Sequence, residues 1–256
     1  MDKILYERQN RVSYVYMNRP EQYNAMNRDM LLEMLDVLTE VERNDDRVVV
    51  LSGRGKAFSA GGDIGMMVDF SDKGFFDDVM QTIEAIALKL YMMPKIVISA
   101  VQGAAAGLGL SLALSADFIV AHEEAKLGML FIGIGLAPDG GGHFLLRDRL
   151  GTQRAKQFIW GREQVKGSEA QTMGLVDLLT ETDALEEAGD MAYRILASPM
   201  EAMLKTKMMY HQYNLETLKQ YLKAEKEAQW ELRQTNDHRE GVQAFKEKRD
   251  PVFTGK

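Results

Sequence analysis

The chain has 256 residues, of which 46% are hydrophobic and 27% charged, and 31 Lys and Arg against 38 Asp and Glu give it a net charge of −7. A chain of this length can bury a large core without disulfides or a structural metal. The absence of cysteine excludes a disulfide framework, thiolate metal sites and a cysteine nucleophile. The acidic balance argues against nucleic acid as a partner, because such a surface needs excess basic residues.

Neither the start of the chain nor its longest uncharged stretch predicts a membrane segment. Residues 1–20 carry charges throughout and lack the apolar centre of a signal peptide. Residues 96–116 are uncharged over about the length of a membrane span, but polar residues and glycines interrupt them. A buried strand followed by a small-residue helix explains this stretch better. We expect a soluble, cytoplasmic protein without a membrane partner.

The first half of the chain predicts strands that alternate with helices. An N-terminal hairpin is followed by a helix that begins after an Asn27 cap, and buried apolar strands then alternate with helices. The expected strands are 3–8, 11–17, 48–53, 96–101 and 117–121, and the expected helices are 27–43, 74–92 and a segment ending near residue 115. This alternation predicts an α/β fold with mostly parallel strands, with the chemistry on the loops after them.

The second half of the chain becomes helical. After an apolar stretch at 127–142 and a strand at 175–180, we predict only helices from about residue 183. The predicted helical segments are 182–198, 199–214, 215–234 and 239–250. The change near Ala197 predicts a core unit of residues 1–196 and a helical unit of residues 197–256. The helical unit is rich in aromatic residues, which favours a role in assembly over a self-contained cap: Tyr210, Tyr213, Tyr221, Trp230 and Phe245.

Two small-residue segments offer backbone N–H groups to a ligand. In the segment Ala60–Ile64, two adjacent glycines allow a tight turn, although an ordinary turn has the same composition. The segment 103–109 is small and glycine-rich at the start of a predicted buried helix, a pattern that also serves tight packing. It lacks the third glycine of a dinucleotide fingerprint. Around Ser111 the sequence matches a serine nucleophile turn only loosely.

A third segment, 138–143, places one acid in apolar surroundings. Asp139 is the sole acid between Glu124 and Asp148. Burial there would raise its pKa into the range that suits proton transfer. The alternative interpretation is that Asp139 caps the following helix, and His143 is more simply explained as a residue at the start of that helix.

Taken together, these segments resemble the crotonase (enoyl-CoA hydratase/isomerase) superfamily in a specific order over nearly the whole chain. The matching blocks are 18–27, 55–64, 95–121, 127–142, 171–177 and 239–253. The resemblance implies a spiral of ββα units with a C-terminal helical region for assembly into a trimer or a dimer of trimers. It also implies an acyl-CoA substrate, with coenzyme A as part of the substrate and no metal or other cofactor.

The resemblance further implies an oxyanion hole made of the backbone N–H groups of Gly62 and Leu108, which would hold the thioester oxygen. Such donors stabilise the enolate that forms when a neighbouring proton is removed. The remaining positions match residues that bind the acyl-CoA, some of them often from a neighbouring subunit: Ala25, Ala60, Asp63, Ile64, Phe131, Phe245 and Lys248.

The chain departs from the hydratase pattern at the two glutamates that handle water, because Ser111 and Phe131 occupy their positions. It is instead similar to the isomerase branch, which carries an acid after the loop proline, here Asp139. The leading hypothesis is a Δ3,Δ2-enoyl-CoA isomerase, or an isomerase of a related ring acyl-CoA, with Asp139 as the proton shuttle. The alternatives are a 2-enoyl-CoA hydratase, a serine hydrolase that uses Ser111 and a non-catalytic CoA-binding protein.

Overall fold

The computed structural model describes residues 2–162 and 164–256, with residues 67–69 described in their backbone alone. Strands and helices alternate through the first two thirds of the chain. The strands are β1 Ile4–Gln9, β2 Val12–Met17, β3 Val48–Gly53, β4 Ile96–Val101, β5 Ala104–Ala106, β6 Phe118–His122, β7 Lys126–Gly128, β8 Val165–Lys166 and β9 Leu178–Thr180. The α-helices are α1 Arg28–Arg43, α2 Lys73–Tyr91, α3 Leu108–Leu114, α4 Gly142–Gly161, α5 Gly167–Met173, α6 Ala184–Leu196, α7 Met200–Leu232 and α8 Asn236–Glu247. Short 3-10 helices lie at Pro20–Gln22, Ile64–Ser71 and Leu130–Ile134.

The strands form two sheets whose order follows a repeating path. The larger sheet has the order β1-β2-β3-β4-β6-β9, parallel except for the β1–β2 hairpin, and the smaller has the order β5-β7-β8. After β4 and β6 the chain enters β5 and β7 of the smaller sheet, and after β3 it forms a parallel bridge between Ser59 and Ala105. Along the chain, a helix follows β5, β7 and the bridge at Ser59. This is the strand–strand–helix spiral that the resemblance predicted.

The larger sheet is buried on both faces, which explains why its strands read as continuous apolar runs. Successive residues point to opposite faces of a strand. In β3, Val48 and Val50 pack towards α6, whereas Val49 and Leu51 belong to the main core with α1 and α2. The sheet therefore holds the ends of β3, β4 and β6 in fixed positions, and the loops that follow them form the site.

The predicted elements agree with the structure except where strands are very short or helices are continuous. The Asn27 side chain caps α1 by accepting from the Met30 N–H at 3.1 Å, as predicted. β5, β7 and β8 were not predicted, because two or three residues are too few for a periodic signal. The predicted strand at 175–180 was too long, since β9 covers its last three residues alone. The predicted break between residues 214 and 215 was wrong, because α7 runs through it for 33 residues.

The C-terminal region is helical, and α7 packs against α2 and α4. Lys207 near its start is buried and donates to the Asp117 carboxylate at 2.7 Å and to the Lys95 carbonyl at 2.8 Å. Within residues 2–162 and 164–256, no helix has the length and apolar character needed to cross a membrane. The division at residues 196 and 197 stays a prediction.

Asn24 joins the loop before α1 to the loop after β3, and its loss should destabilise the fold. Its buried side chain accepts from the Arg19 N–H at 2.8 Å and donates to the carbonyls of Arg54 and Ala57 at 3.0 and 2.8 Å. We expect Asn24→Ala to lower the free energy of unfolding by about 2–4 kcal/mol, because buried carbonyls lose their donor. Urea unfolding measures this loss. Gln22→Ala, an exposed change in the same loop, is the control, and an equal effect of both would contradict the prediction.

Candidate active site

The loops that follow β3, β4 and β6 meet around one cavity of about 290 Å³. Its wall is mostly apolar, with one carboxyl group and two guanidinium groups among the described residues. Seven of the residues predicted from the sequence line it: Ala60, Gly62, Ile64, Leu108, Phe131, Asp139 and Phe245. Residues that are far apart in the chain, from the glycine turn to α8, are thus brought to one space.

The backbone around Gly62 and Leu108 leaves two N–H groups at this cavity without a hydrogen-bond partner among the described residues. Gly62 lies in a parallel bridge in which its neighbours, and not Gly62 itself, bond to Met26. Leu108 begins α3, where the first N–H groups have no acceptor within the helix. Gly61 connects the two, since a Cβ built on it would lie 3.4 Å from the Leu108 nitrogen. The two amides are therefore neighbours at one wall.

The other three predicted binding residues lie outside the lining of this cavity. Asp63 accepts from Arg19 Nη1 at 3.0 Å and from the Gly65 N–H at 2.9 Å. Ala25 is half-buried, and its carbonyl accepts from the same guanidinium. Lys248 is exposed at the end of α8. Their roles in binding stay predictions.

Asp139 contributes a buried carboxyl group to the cavity, with a residue exposure of 6%. Its Oδ1 atom is buried and has no hydrogen-bond partner among the described residues. Burial, with a smaller contribution from the negative charge of Glu225, raises the pKa of Asp139 to about 7, and the positive charge of Arg233 opposes this rise. The alternative that Asp139 caps a helix is wrong, because Gly141 occupies the cap of α4 without a side-chain cap bond.

Ser111 and Phe131, which the resemblance matches to the two glutamates of hydratases, carry no titratable group. Ser111 is fully buried, and its hydroxyl donates to the backbone carbonyl of Asp139 at 2.7 Å. It has no histidine partner among the described residues, so the geometry gives no support to a serine nucleophile. The Phe131 ring lies against Gly107, where a Cβ would come within 3.5 Å of it. Both residues shape the walls around Asp139.

Sequence reasoning missed the groups on α7 that hold the Asp139 loop. Glu225 is buried and accepts from the N–H groups of Gly141 and His143 at 2.8 and 3.0 Å, and from His143 Nδ1 at 2.8 Å. The Gln229 side chain donates to the carbonyl of Ala137. His143 is the second residue of α4, as predicted. The spacing of Glu225 and Gln229 by one helical turn was the available signal, but the sequence did not indicate what they contact.

Arg233 follows Gln229 by one more turn and lines the same cavity. Its Nη2 atom donates to Gln229 Oε1 at 3.2 Å, and its guanidinium carbon lies 4.3 Å from the centre of the Phe70 ring. The Nε and Nη1 atoms are buried without a hydrogen-bond partner among the described residues. Burial lowers the pKa of Arg233 to about 10, which leaves it charged at neutral pH. In the described parts of the chain, no cluster of histidine and acidic residues is arranged to hold a metal ion.

Comparisons with known proteins identify the family to which the chain belongs. Residues 7–256 match the family model described as enoyl-CoA hydratase/isomerase. YhaR of Bacillus subtilis (strain 168), whose name carries the words enoyl-CoA hydratase/isomerase, is 46% identical over 99% of each chain. The trans-2-decenoyl-[acyl-carrier-protein] isomerase of Streptococcus mutans is 34% identical over 99% of this chain and 98% of its own. A crystal structure of an enoyl-CoA hydratase from Mycobacterium avium subsp. paratuberculosis K-10 superposes with a TM-score of 0.89, at 30% identity over 98% of each chain.

The chain therefore belongs to the enoyl-CoA hydratase/isomerase family, the crotonase superfamily, and is an enzyme of that family. This confirms the resemblance drawn from the six sequence blocks, and it removes the alternative of a non-catalytic CoA-binding protein. The relatives are named both as hydratases and as isomerases. The reaction of this chain must therefore be inferred from its own residues.

The raised pKa of Asp139 predicts that Asp139→Asn stabilises the fold, and more so at higher pH. The folded state binds this proton more tightly, so the stabilisation it gives is complete below the ordinary pKa of 3.8 and is lost as the pH rises to about 7. Relative to wild type, the variant should gain roughly 4 kcal/mol, as an upper estimate, between pH 4 and pH 8. Urea unfolding at several pH values measures the difference. Asp36→Asn, an exposed change on α1, should give none, and a pH-independent difference for Asp139→Asn would contradict the prediction.

Proposed function

We propose that the enzyme is a Δ3,Δ2-enoyl-CoA isomerase in which Asp139 moves a proton between two carbons of the acyl group. The observation that supports this most directly concerns the described lining of an apolar cavity, which contains one buried carboxyl group with a pKa of about 7 and two backbone N–H groups without a partner among the described residues. This set of groups suits proton removal beside a thioester. The mostly apolar wall of the cavity would also accept the hydrocarbon chain of the acyl group.

In the proposed reaction, the thioester oxygen accepts from the N–H groups of Gly62 and Leu108. Asp139 removes a proton from the α carbon, which is next to the carbonyl. The electron pair then spreads over the oxygen and the former double bond, giving a dienolate. The two amides stabilise that oxygen because their dipoles are already oriented, and one such donor contributes about 3–4 kcal/mol in known cases. Asp139 returns the proton to the γ carbon, and the double bond is now conjugated with the thioester.

The surroundings of Asp139 suit a group that must first accept and then donate the same proton. A pKa of about 7 places the carboxylate and the carboxylic acid at similar populations near neutral pH. General acid–base catalysis is most efficient under that condition. The apolar wall keeps water away from the dienolate, so the proton would return to carbon. This route needs no metal or redox cofactor, and coenzyme A enters as part of the substrate.

Hydration of a 2-enoyl-CoA is the second candidate, because relatives of this chain carry that name. Adding water asks for a group that activates the water and a group that protonates the α carbon. The positions of the two usual glutamates carry Ser111 and Phe131. The other buried carboxyl group nearby, Glu225, has both of its oxygens engaged by N–H donors. A single free carboxyl group favours isomerisation, and the name of the Streptococcus mutans relative supports a straight-chain acyl thioester as the substrate class.

Asp139→Asn tests this proposal. We expect isomerisation of a 3-enoyl-CoA to fall by about 10²- to 10⁴-fold, because the amide cannot accept the proton. Affinity for a saturated acyl-CoA should change little, since the N–H groups and the wall remain. Absorbance of the conjugated thioester measures turnover, and calorimetry measures binding.

Two comparisons make the result interpretable. Asp148→Asn, an exposed change on α4, should leave the rate unchanged. The wild-type enzyme is also assayed for hydration of a 2-enoyl-CoA of the same chain length. Undiminished isomerisation by Asp139→Asn would remove Asp139 from the reaction, and faster hydration than isomerisation in the wild type would favour the second candidate.

We also propose that the enzyme assembles as a trimer or a dimer of trimers through its C-terminal helices. Three large apolar or aromatic side chains on α7 are exposed in the single chain: Met209, Tyr210 and Tyr213. Light scattering should therefore give a mass of three or six times 28.9 kDa. Tyr213→Glu should weaken the assembly, whereas Lys205→Glu on the same helix should not. A monomeric wild-type mass would contradict the proposal.

A further inference from the structure

We propose that Glu225 of α7 and Arg233, the residue that follows α7, are positioning residues that hold the Asp139 loop in place and act on its carboxyl group with opposite charges. This inference rests on the proposed function of Asp139 and goes beyond it, since it assigns roles to residues outside the Asp139 loop. Glu225, Gln229 and Arg233 are spaced by four, so they lie along one side of α7 and its C-terminal end. We call these three residues the α7 polar row.

The first member of the α7 polar row fixes the loop through its main chain. The Glu225 carboxylate accepts from the N–H groups on both sides of Gly142, the first residue of α4, and from the His143 ring. Hydrogen bonds to an ionised acceptor are stronger than neutral ones, and here the acceptor, Glu225, is buried. Because Gly141 is two residues from Asp139, the Glu225 carboxylate limits how far the catalytic side chain can move.

Gln229 connects the two charged members. Its side-chain nitrogen donates to the carbonyl of Ala137, on the other side of Asp139 from Gly141. Its side-chain oxygen accepts from Arg233 Nη2 at 3.2 Å. Hydrogen bonds to α7 thus hold the loop 137–143 both before and after Asp139. The side-chain oxygen of Gln229 also orients the guanidinium of Arg233.

Arg233 brings a positive charge to the cavity wall without pairing with Asp139. The ring of Phe70 lies under its guanidinium group, with a carbon-to-centre distance of 4.3 Å, an attraction that keeps the charge beside an apolar surface. Because two guanidinium nitrogens lack hydrogen-bond partners among the described residues, the charge is poorly screened. The positive charge therefore acts on the Asp139 carboxyl group through space and favours its ionised form.

The charged and titratable groups around Asp139 come from several elements. They are Glu225 on α7, Arg233 just after α7, His143 on α4, and Arg162 just after α4, which also lines the cavity. The parts of α2, α3 and the segment 64–71 whose side chains are described present apolar groups to the cavity. Glu225 and Arg233 are the two whose charges bear on the pKa of Asp139, in opposite directions.

Opposite shifts of the pH profile test the proposal. Removal of a negative charge by Glu225→Gln should lower the pKa of Asp139, so the acid limb of kcat/KM moves to lower pH. Removal of a positive charge by Arg233→Met should move that limb to higher pH. We expect shifts of about one pH unit, the size of a single charge acting across a partly buried distance. Arg233→Lys should restore most of the wild-type profile.

The controls separate charge from structure. Glu227→Gln and Lys223→Met remove exposed charges from the same helix and should leave the profile unchanged. His143→Gln determines whether the limb belongs to the imidazole, and a limb that disappears in this variant would overturn the proposal. A loss of stability alone would lower the rate at every pH without moving the limb. If Glu225→Gln fails to fold, the Arg233→Met and Arg233→Lys pair decides the result.

A readout that needs no turnover separates this inference from the proposed function. Aspartate labelled with ¹³C at the carboxyl carbon allows the Asp139 signal to be assigned by its absence in Asp139→Asn and then titrated by NMR. Opposite shifts of this titration in the two variants support the inference, even if Asp139→Asn retains activity and the proposed function fails. Shifts in the same direction, or shifts no larger than those of the controls, would overturn it.

Discussion

The Asp139 carboxyl group is held away from water, its Oδ1 atom has no hydrogen-bond partner among the described residues, and much of the surrounding structure is needed to keep it there. A carboxylate in such a place is unstable relative to water, so its proton is retained to higher pH. The loop that carries it must also approach α3 closely. Gly140 has a positive φ, and a Cβ on it would lie 2.6 Å from the Leu108 side chain, so only glycine allows this approach. The same approach brings the acid to the wall that presents the two amides.

The loop keeps this position because the α7 polar row binds its main chain. Glu225 accepts from the N–H groups at the start of α4, which would otherwise be buried without an acceptor. A buried carboxylate is costly by itself, but three donors compensate for its lost hydration. The two acids therefore differ in their surroundings: Glu225 accepts from three N–H donors, whereas Asp139 Oδ1 has no donor among the described residues.

Much of the fold and of the site could be predicted from the sequence, because it depends on local patterns. The apolar runs at 48–53 and 96–101 predict buried parallel strands, and Asn27 predicts the start of α1. Asp139 could be selected because it is an isolated acid in an apolar stretch. The short strands β5 and β7 could not be predicted, since they exist only through pairing with distant segments. In sequence, Glu225 and Arg233 resemble ordinary charges on a solvated helix, and only tertiary packing reveals that Glu225 binds the Asp139 loop and that Arg233 lines the cavity.

In the proposed reaction, the backbone supplies the N–H donors and the side chains supply the acid and base, so the two can vary independently. The amides of Gly62 and Leu108 depend on the turn and on the start of α3, so they remain whatever side chains surround them. The carboxyl groups are side chains and can be lost or moved independently. In the proposed reaction, Ser111 and Phe131 supply no carboxylate to hold and activate water, whereas the two amides can still stabilise an enolate. Asp139 is then the group proposed to move the proton between two carbons, and contacts from α7 hold the loop that carries it.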